Sequence, residues 1–234
     1  MAHLATAACG THTQRVIEIG PGRGALTRRL LLHCDELHAV EIDPQLAAHL
    51  QSAFADEAKL HIHLADALAI DLAQWGPAVI AGNLPYYITS PLVLKFVNLD
   101  ARFSRAVFLV QEEVAQRITA RHGTRDYGYL SVATQLVCDV ELISKVPASA
   151  FSPPPKVNSA AIRLTRKPDV PLDLRGLLEF VGRCFAHKRK TLRNNLRPFF
   201  RAIDLLPEAN LRAEQLRVPQ FAELRAKLLY TEAS

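Results

Sequence analysis

Short runs rich in β-branched and apolar residues alternate with helix-like patterns from Arg15 onward, and this alternation restricts the possible architectures of the chain more than any other feature. Residues 15–19, 37–42, 60–64, 78–81 and 105–110 predict strands, and strands separated by helices predict a mostly parallel sheet with helices on its faces. The first of these strands runs directly into Gly20-Pro21-Gly22-Arg23-Gly24-Ala25. Such a segment can turn sharply and bring bare N–H groups up to a ligand. Asp43-Pro44 predicts a helix N-cap and first-turn proline, opening a helix with Leu46, Leu50 and Phe54 on one face. Further helices are expected from about residues 89–91, over 112–120 and over 129–137. Residues 140–146 and 159–164 predict late strands, expected to form an antiparallel hairpin. Lys167-Pro168 and Pro171 mark a boundary, beyond which 174–185, 188–200 and 221–230 predict helices. The expected organisation is an α/β domain over residues 1–167 and a small all-α domain over 168–234.

With 234 residues, 49% of them hydrophobic, the chain can bury one full core and a smaller second one. No run approaches the ~18 uncharged apolar residues of a membrane helix, and no basic stretch leads into an apolar one at the N-terminus. The expectation is a soluble, unexported, cytoplasmic protein. Cys9, Cys34, Cys138 and Cys184 lie at unrelated spacings without a C-x-x-C pair, which argues for reduced thiols and against a zinc or disulfide framework. The net charge of +5 is unevenly placed: through Thr165 there are 14 Lys and Arg against 15 Asp and Glu, and beyond it 14 against 8. His187 to Arg201 alone holds six Lys/Arg and no acid, a density that suits either a phosphate backbone or a solvated helix face.

The chemistry-bearing residues follow the strands. Glu41 ends the second strand 21 residues after Gly20, where a carboxylate can accept from ribose hydroxyls, and Gly20-x-Gly22-x-x-Ala25 fits the loose dinucleotide fingerprint. That pair serves NAD and S-adenosylmethionine equally. Glu18 separates them, because a carboxylate just before the glycines faces the cofactor's amino-acid moiety, whose ammonium NAD does not possess. Asp66, after the third strand, can accept from an adenine amino group. Taken singly, each acid also reads as a cap or a solvated turn. Asn83-Leu84-Pro85-Tyr86 is a holder for a flat exocyclic amine: Asn83 offers a side-chain carbonyl, Leu84 a backbone carbonyl and Tyr86 a stacking face. Pro85 fixes its own φ and pushes Leu84 toward an extended conformation. The stiff run Phe151-Ser152-Pro153-Pro154-Pro155 presents Phe151 either to the core or to an unstacked base, where stacking contributes roughly 1–3 kcal/mol. His61 and His63 share one strand face without an acid or Cys partner, so packing or surface is expected of them rather than metal. Gln111-Glu112-Glu113 predicts a strand end and helix start, and Trp75 packing.

These segments resemble the small-subunit (16S) ribosomal RNA adenine dimethyltransferases. VIEIGPGRGALT, AVEIDPQLA, Asp66-Ala67, GNLPYYITSPL, QEEVAQRI, YGYLSV, FSPPPKVNSAAIRL and KRKTLRNNL carry the likeness, from about Val16 to the end of the chain. The resemblance implies a Rossmann-like class I S-adenosylmethionine-dependent methyltransferase sheet with a small C-terminal helical domain. It implies that Gly20, Gly22, Glu41, Asp66 and Asn83 contact the cofactor and that Glu18 supports the loop. It further implies that Asn83, Leu84, Pro85 and Tyr86 hold the target adenine, with Phe151 closing over it. Family members dimethylate N6 of two adjacent adenosines near the 3′ end of small-subunit rRNA within the assembling pre-30S subunit. Lys188, Arg189, Lys190, Arg193 and Arg197 of the helical lobe would grip that RNA, with no metal and as a monomer. The family's Gly-Gln-Asn-Phe-Leu segment, which folds over the cofactor, has no counterpart in Met1 to Gln14; a shortened chain or weakened cofactor binding is the corresponding expectation. The competing readings are a non-catalytic RNA-binding assembly factor, a DNA adenine N6-methyltransferase and an NAD-dependent oxidoreductase.

Overall fold

Seven strands join one sheet in the order β3-β2-β1-β4-β5-β7-β6, in a computed structural model that describes residues 1–85, 87–151 and 154–233. They are β1 (Thr13–Ile19), β2 (Cys34–Glu41), β3 (Leu60–Leu64), β4 (Val79–Asn83), β5 (Arg105–Gln111), β6 (Cys138–Val146) and β7 (Ser159–Arg166). Neighbours from β3 through β5 pair parallel, and β7 pairs antiparallel with β5. Residues 16–19 of β1 and 106–110 of β5 are buried without a break, the pattern of strands covered on both faces. The helices of this part are α1 (Ala2–Cys9), α2 (Thr27–Leu30), α3 (Pro44–Ala53), α4 (Thr89–Asn98) and α5 (Glu112–Thr119). Among the described residues no helix is long and apolar enough to cross a membrane.

Helix α1 lies in a segment for which sequence reasoning had no element. Its Leu4, Ala5, Ala8 and Cys9 share a core with Val16, Leu37, Val79 and Val107 of the sheet and with Leu30, Leu50 and Phe54. The Arg105 guanidinium donates to the Ala8 carbonyl at 3.2 Å, satisfying a carbonyl that the helix itself leaves open. The two late strands are neighbours in the sheet, as expected, and β7 also pairs with β5, which leaves β6 at the edge. Burial explains the choice. Most of β7 is buried, whereas β6 is largely exposed and carries Lys145, as suits an edge strand.

The described chain forms two compact units, Met1–Ala115 with Asp139–Arg166 and Gln116–Cys138 with the chain from Lys167 onward. The second unit thus takes in residues 116–138 as well as those expected beyond residue 167. It contains α6 (Tyr129–Val137), α7 (Leu174–Cys184), α8 (Leu192–Leu196) and α9 (Val218–Ala233). Helix α6 buries seven of its residues and so needs neighbours on several sides. Tyr127, ahead of it, meets Phe185 edge-on at 6.1 Å, and Phe185 stacks on Phe221 at 5.7 Å. The helix expected over 188–200 shortens to α8. Thr191 is extended at φ −72° and ψ 164°, and Pro198 can neither donate to the helix nor fit against its preceding turn. Most of the Lys/Arg run therefore lies on turns flanking a short helix.

Candidate active site

From β1 the chain builds outward through β2 and β3, then crosses back to place β4 on the other side of β1. In open α/β sheets such a reversal leaves a crevice at the carboxyl ends of the two strands. Gly20 leaves β1 there and Leu84 leaves β4. Gly20 has φ +66°, and a Cβ added to it would lie 3.6 Å from Pro85 Cδ and 3.9 Å from the Asn83 carbonyl oxygen. The glycine loop and the Asn83 to Pro85 segment are thus adjacent. Gly82, which sequence reasoning passed over, permits that adjacency: a Cβ there would stand 2.7 Å from the Ile19 carbonyl oxygen. Its signal was present, since glycine inside a strand pattern marks a close backbone approach.

The crevice opens into a cavity of about 290 Å³ whose walls include Gly20, Glu41, Ile42, Asp66, Pro85 and Tyr87. Glu41 is buried, yet its carboxylate is well supplied with donors. Oε2 accepts from the Gly22 N–H at 3.0 Å, and Oε1 from the N–H groups of Ile42 and Asp43 at 2.9 and 3.0 Å. A carboxylate has about four acceptor directions, so Oε2 retains one for a ligand hydroxyl. Asp66 holds its own turn by accepting from the Leu68 N–H through Oδ1 at 2.8 Å. Ile42 and Tyr87 are 59% and 76% exposed, so apolar surface at the cavity stands ready to be covered. Spare acceptor capacity on Glu41 and Asp66, flanking apolar groups and a glycine turn give this cavity the chemistry to receive a nucleoside.

Glu18 occupies a different place. Its carboxyl is 1% exposed behind the glycine loop, where Oε2 accepts from the Thr27 hydroxyl at 2.7 Å. Desolvation by burial pushes its pKa up to about 7, against the hydrogen bond from Thr27. Of the two roles read from the sequence, this geometry favours support of the loop over contact with the cofactor's amino-acid moiety. Leu84 is buried and its N–H donates to the Leu109 carbonyl at 3.0 Å, which anchors the chain where β4 ends; Asn83 is exposed at that end. Tyr86 lies outside the described residues. Phe151 does not line the nucleoside cavity. It is half-buried in the wall of another, of about 210 Å³, together with Leu4, Leu109, Ile143, Val146 and Ala161. Leu109 is the register partner of Asn83, so this second cavity borders the end of β4.

The five basic residues singled out in the second unit differ in their surroundings. Arg193 and Arg197 both reach Asp204, at 3.1 and 3.2 Å, and the Lys188 ammonium donates to the Arg125 carbonyl. Arg189 and Lys190 line a cleft of about 350 Å³ with Ala186, His187 and Lys188. Away from both regions, His38 stacks between partners that sequence reasoning saw only in part. Its ring lies 4.7 Å from Trp75 and 5.1 Å from His61, and Nδ1 is 3.0 Å from His63 Nε2. Nε2 of His38 is 3.0 Å from Glu36 Oε1 but off the line of a hydrogen bond. Among the described residues no group of three or more His, Cys, Asp or Glu is arranged to hold a metal ion.

The chain is similar to known proteins over most of its length. The family described as "Ribosomal RNA adenine dimethylase" matches residues 2–219. A Legionella pneumophila subsp. pneumophila protein described as "Ribosomal RNA small subunit methyltransferase A" is 41% identical over 216 residues, covering 89% of this chain and 84% of the relative. Among solved structures, a dimethyladenosine transferase from Plasmodium falciparum superimposes with a TM-score of 0.82 at 24% identity, over 97% of this chain and 94% of that one. The 23S rRNA methyltransferase ErmE superimposes with a TM-score of 0.73 at 27% identity, over 97% and 96%.

Proposed function

Since the chain belongs to the ribosomal RNA adenine dimethylase family, we propose that it transfers methyl groups from S-adenosylmethionine to N6 of two adjacent adenosines near the 3′ end of small-subunit rRNA. It is an S-adenosylmethionine-dependent methyltransferase with a Rossmann-like sheet. The observation that carries the residue-level reading is the contact between the loop at Gly20 and the Asn83 to Pro85 segment, beside a cavity walled by Glu41 and Asp66. It supports reading a nucleoside pocket beside an amine holder at one strand crossing.

When bound, S-adenosylmethionine supplies an electrophilic methyl group. Glu41 would accept from its ribose and Asp66 from its adenine amino group, while Gly20 and Gly22 leave the backbone close enough to touch it. Glu18 keeps the glycine loop in place through Thr27. Asn83 Oδ1 and the Leu84 carbonyl would accept the two protons of the target amine and so aim the nitrogen lone pair. Leu84 suits this task because its N–H is anchored on Leu109 and the following proline holds it extended. Tyr86 and Phe151 would clamp the ring, Phe151 from the cavity bordering β4. Orientation and exclusion of water then supply most of the rate. In the second unit Arg189 and Lys190 are the foremost candidates for RNA phosphates. The substrate is taken to be rRNA within the pre-30S particle, met in the cytoplasm by a monomer.

The test is transfer of a labelled methyl group to unmethylated small subunits, to naked rRNA and to plasmid DNA, followed by nucleoside analysis. Label recovered as N6,N6-dimethyladenosine from the subunits is expected. Asn83→Ala should abolish it while circular dichroism stays unchanged. Cofactor binding without transfer to any of the three would instead favour a non-catalytic assembly factor.

A further inference from the structure

Lys95 lies outside the residues lining the nucleoside cavity, yet it holds one wall of that cavity in shape. Residues 66–70 form a tight turn in which three amides donate internally. The N–H groups of Ala69 and Ile70 donate to the Asp66 carbonyl at 3.0 and 2.9 Å, and that of Leu68 to Asp66 Oδ1 at 2.8 Å. Lys95 Nζ donates to the carbonyls of Ala67 and Leu68, each at 2.9 Å, and of Ile70 at 2.5 Å. An ammonium has three donors and no acceptor, so a single turn uses its whole capacity. Burial lowers the pKa of this amine, with Asp66 and Asp71 opposing the shift.

The element carrying Lys95 makes this arrangement more than a local brace. Helix α4 grows directly out of the amine-holding segment, since the Ile88 N–H and the Thr89 hydroxyl both donate to the Pro85 carbonyl, at 3.2 and 3.3 Å. One side chain therefore joins the turn bearing Asp66 to the helix that continues from Asn83 to Pro85. A carboxylate selects an adenine amino group only if its free oxygen stays in one place, and Asp66 is exposed with Oδ1 already committed.

We propose that Lys95 is a positioning residue for cofactor selectivity, locking the 66–70 turn so that Asp66 discriminates an adenine amino group from the carbonyl of its deaminated analogue. The proposal rests on the reading that Asp66 receives the cofactor's adenine. It is tested by calorimetric binding of S-adenosylhomocysteine and of S-inosylhomocysteine, which carries oxygen in place of the amine. The wild-type protein should prefer the former by roughly tenfold or more, the scale of one hydrogen bond to a charged group. Lys95→Met should bring that preference close to unity, whereas Lys95→Arg, which keeps a cation and several donors, should retain most of it. A merely structural role would lower stability and leave the ratio of the two affinities alone. If the methionine variant does not fold, Lys95→Gln, with two donors, should show an intermediate ratio.

Asp66→Ala separates the two possible failures. A preference that survives in Asp66→Ala overturns the reading of Asp66, and the proposal with it. A preference lost in Asp66→Ala but unchanged in the Lys95 variants overturns the role of Lys95 alone.

Discussion

Glu18 and His38 are buried titratable side chains with opposite pH signatures. Burial raises Glu18 from 4.5 to about 7, so the folded chain retains a proton that the unfolded chain releases at lower pH. Its stabilising contribution is complete below about pH 4.5 and lost as the pH rises through about 7. Burial lowers His38 from 6.5 to about 4, against the pull of Glu36, so its contribution is present above about pH 6.5 and lost as the pH falls through about 4. The two partly cancel in mildly acidic solution. Glu18→Gln removes the first, so urea unfolding should show stability falling more steeply from pH 8 to pH 5 than in the wild type, by a difference on the order of 3 kcal/mol. Equal pH slopes would refute the buried carboxyl. Gly82 gives a steric counterpart: in Gly82→Ala the new Cβ meets the Leu84 side chain and also the Ile19 carbonyl oxygen, which as backbone cannot swing away. A loss of at least ~2 kcal/mol and weaker cofactor binding are expected, because overpacking shifts β4 against β1. A thermal melt within a degree or two of the wild type would contradict that contact.

Elements were legible wherever their determinants were local. Asp43-Pro44 shows this, since the Asp43 carboxylate accepts from the N–H groups of Gln45 and Leu46 at 2.7 and 3.2 Å, in front of a proline whose missing N–H costs nothing in the first turn. Asp43→Ala should lower stability by about 1 kcal/mol, measurable by chemical denaturation. It should leave Glu41 in place, because Glu41 Oε1 is held by backbone N–H groups that the substitution retains. The basic run, expected as one helix, is cut to α8 because Thr191 is extended and Pro198 cannot continue the helix. Helix α1 escaped notice because an eight-residue apolar segment has little periodicity of its own. What fixes it is the sheet beneath it and the Arg105 donor, both distant in sequence. The place of β7 inside the sheet likewise followed from which late strand had more apolar surface to bury.

At the scale of the molecule, charge and fold divide between the two units. The excess of Lys and Arg lies after Thr165, so association with RNA should weaken steeply with salt while cofactor binding should not. Replacing Arg189 and Lys190 together by Ala should reduce the slope of log affinity against log salt by about 1.5 if both meet phosphates, with affinity for S-adenosylhomocysteine unchanged. An unaltered slope would place the RNA elsewhere. By itself the sequence determined the alternating α/β plan, the glycine turn after β1, the acids at strand ends and the Asn83 to Tyr86 signature, because turns, caps and side-chain chemistry are set by a few adjacent residues. Tertiary structure alone decided that β4 lies against β1, that Lys95 clasps the Asp66 turn, that His38 completes a ring stack and that residues 116–138 join the second unit. Those outcomes depend on which apolar faces cover one another most fully, a property of surfaces assembled from distant parts of the chain.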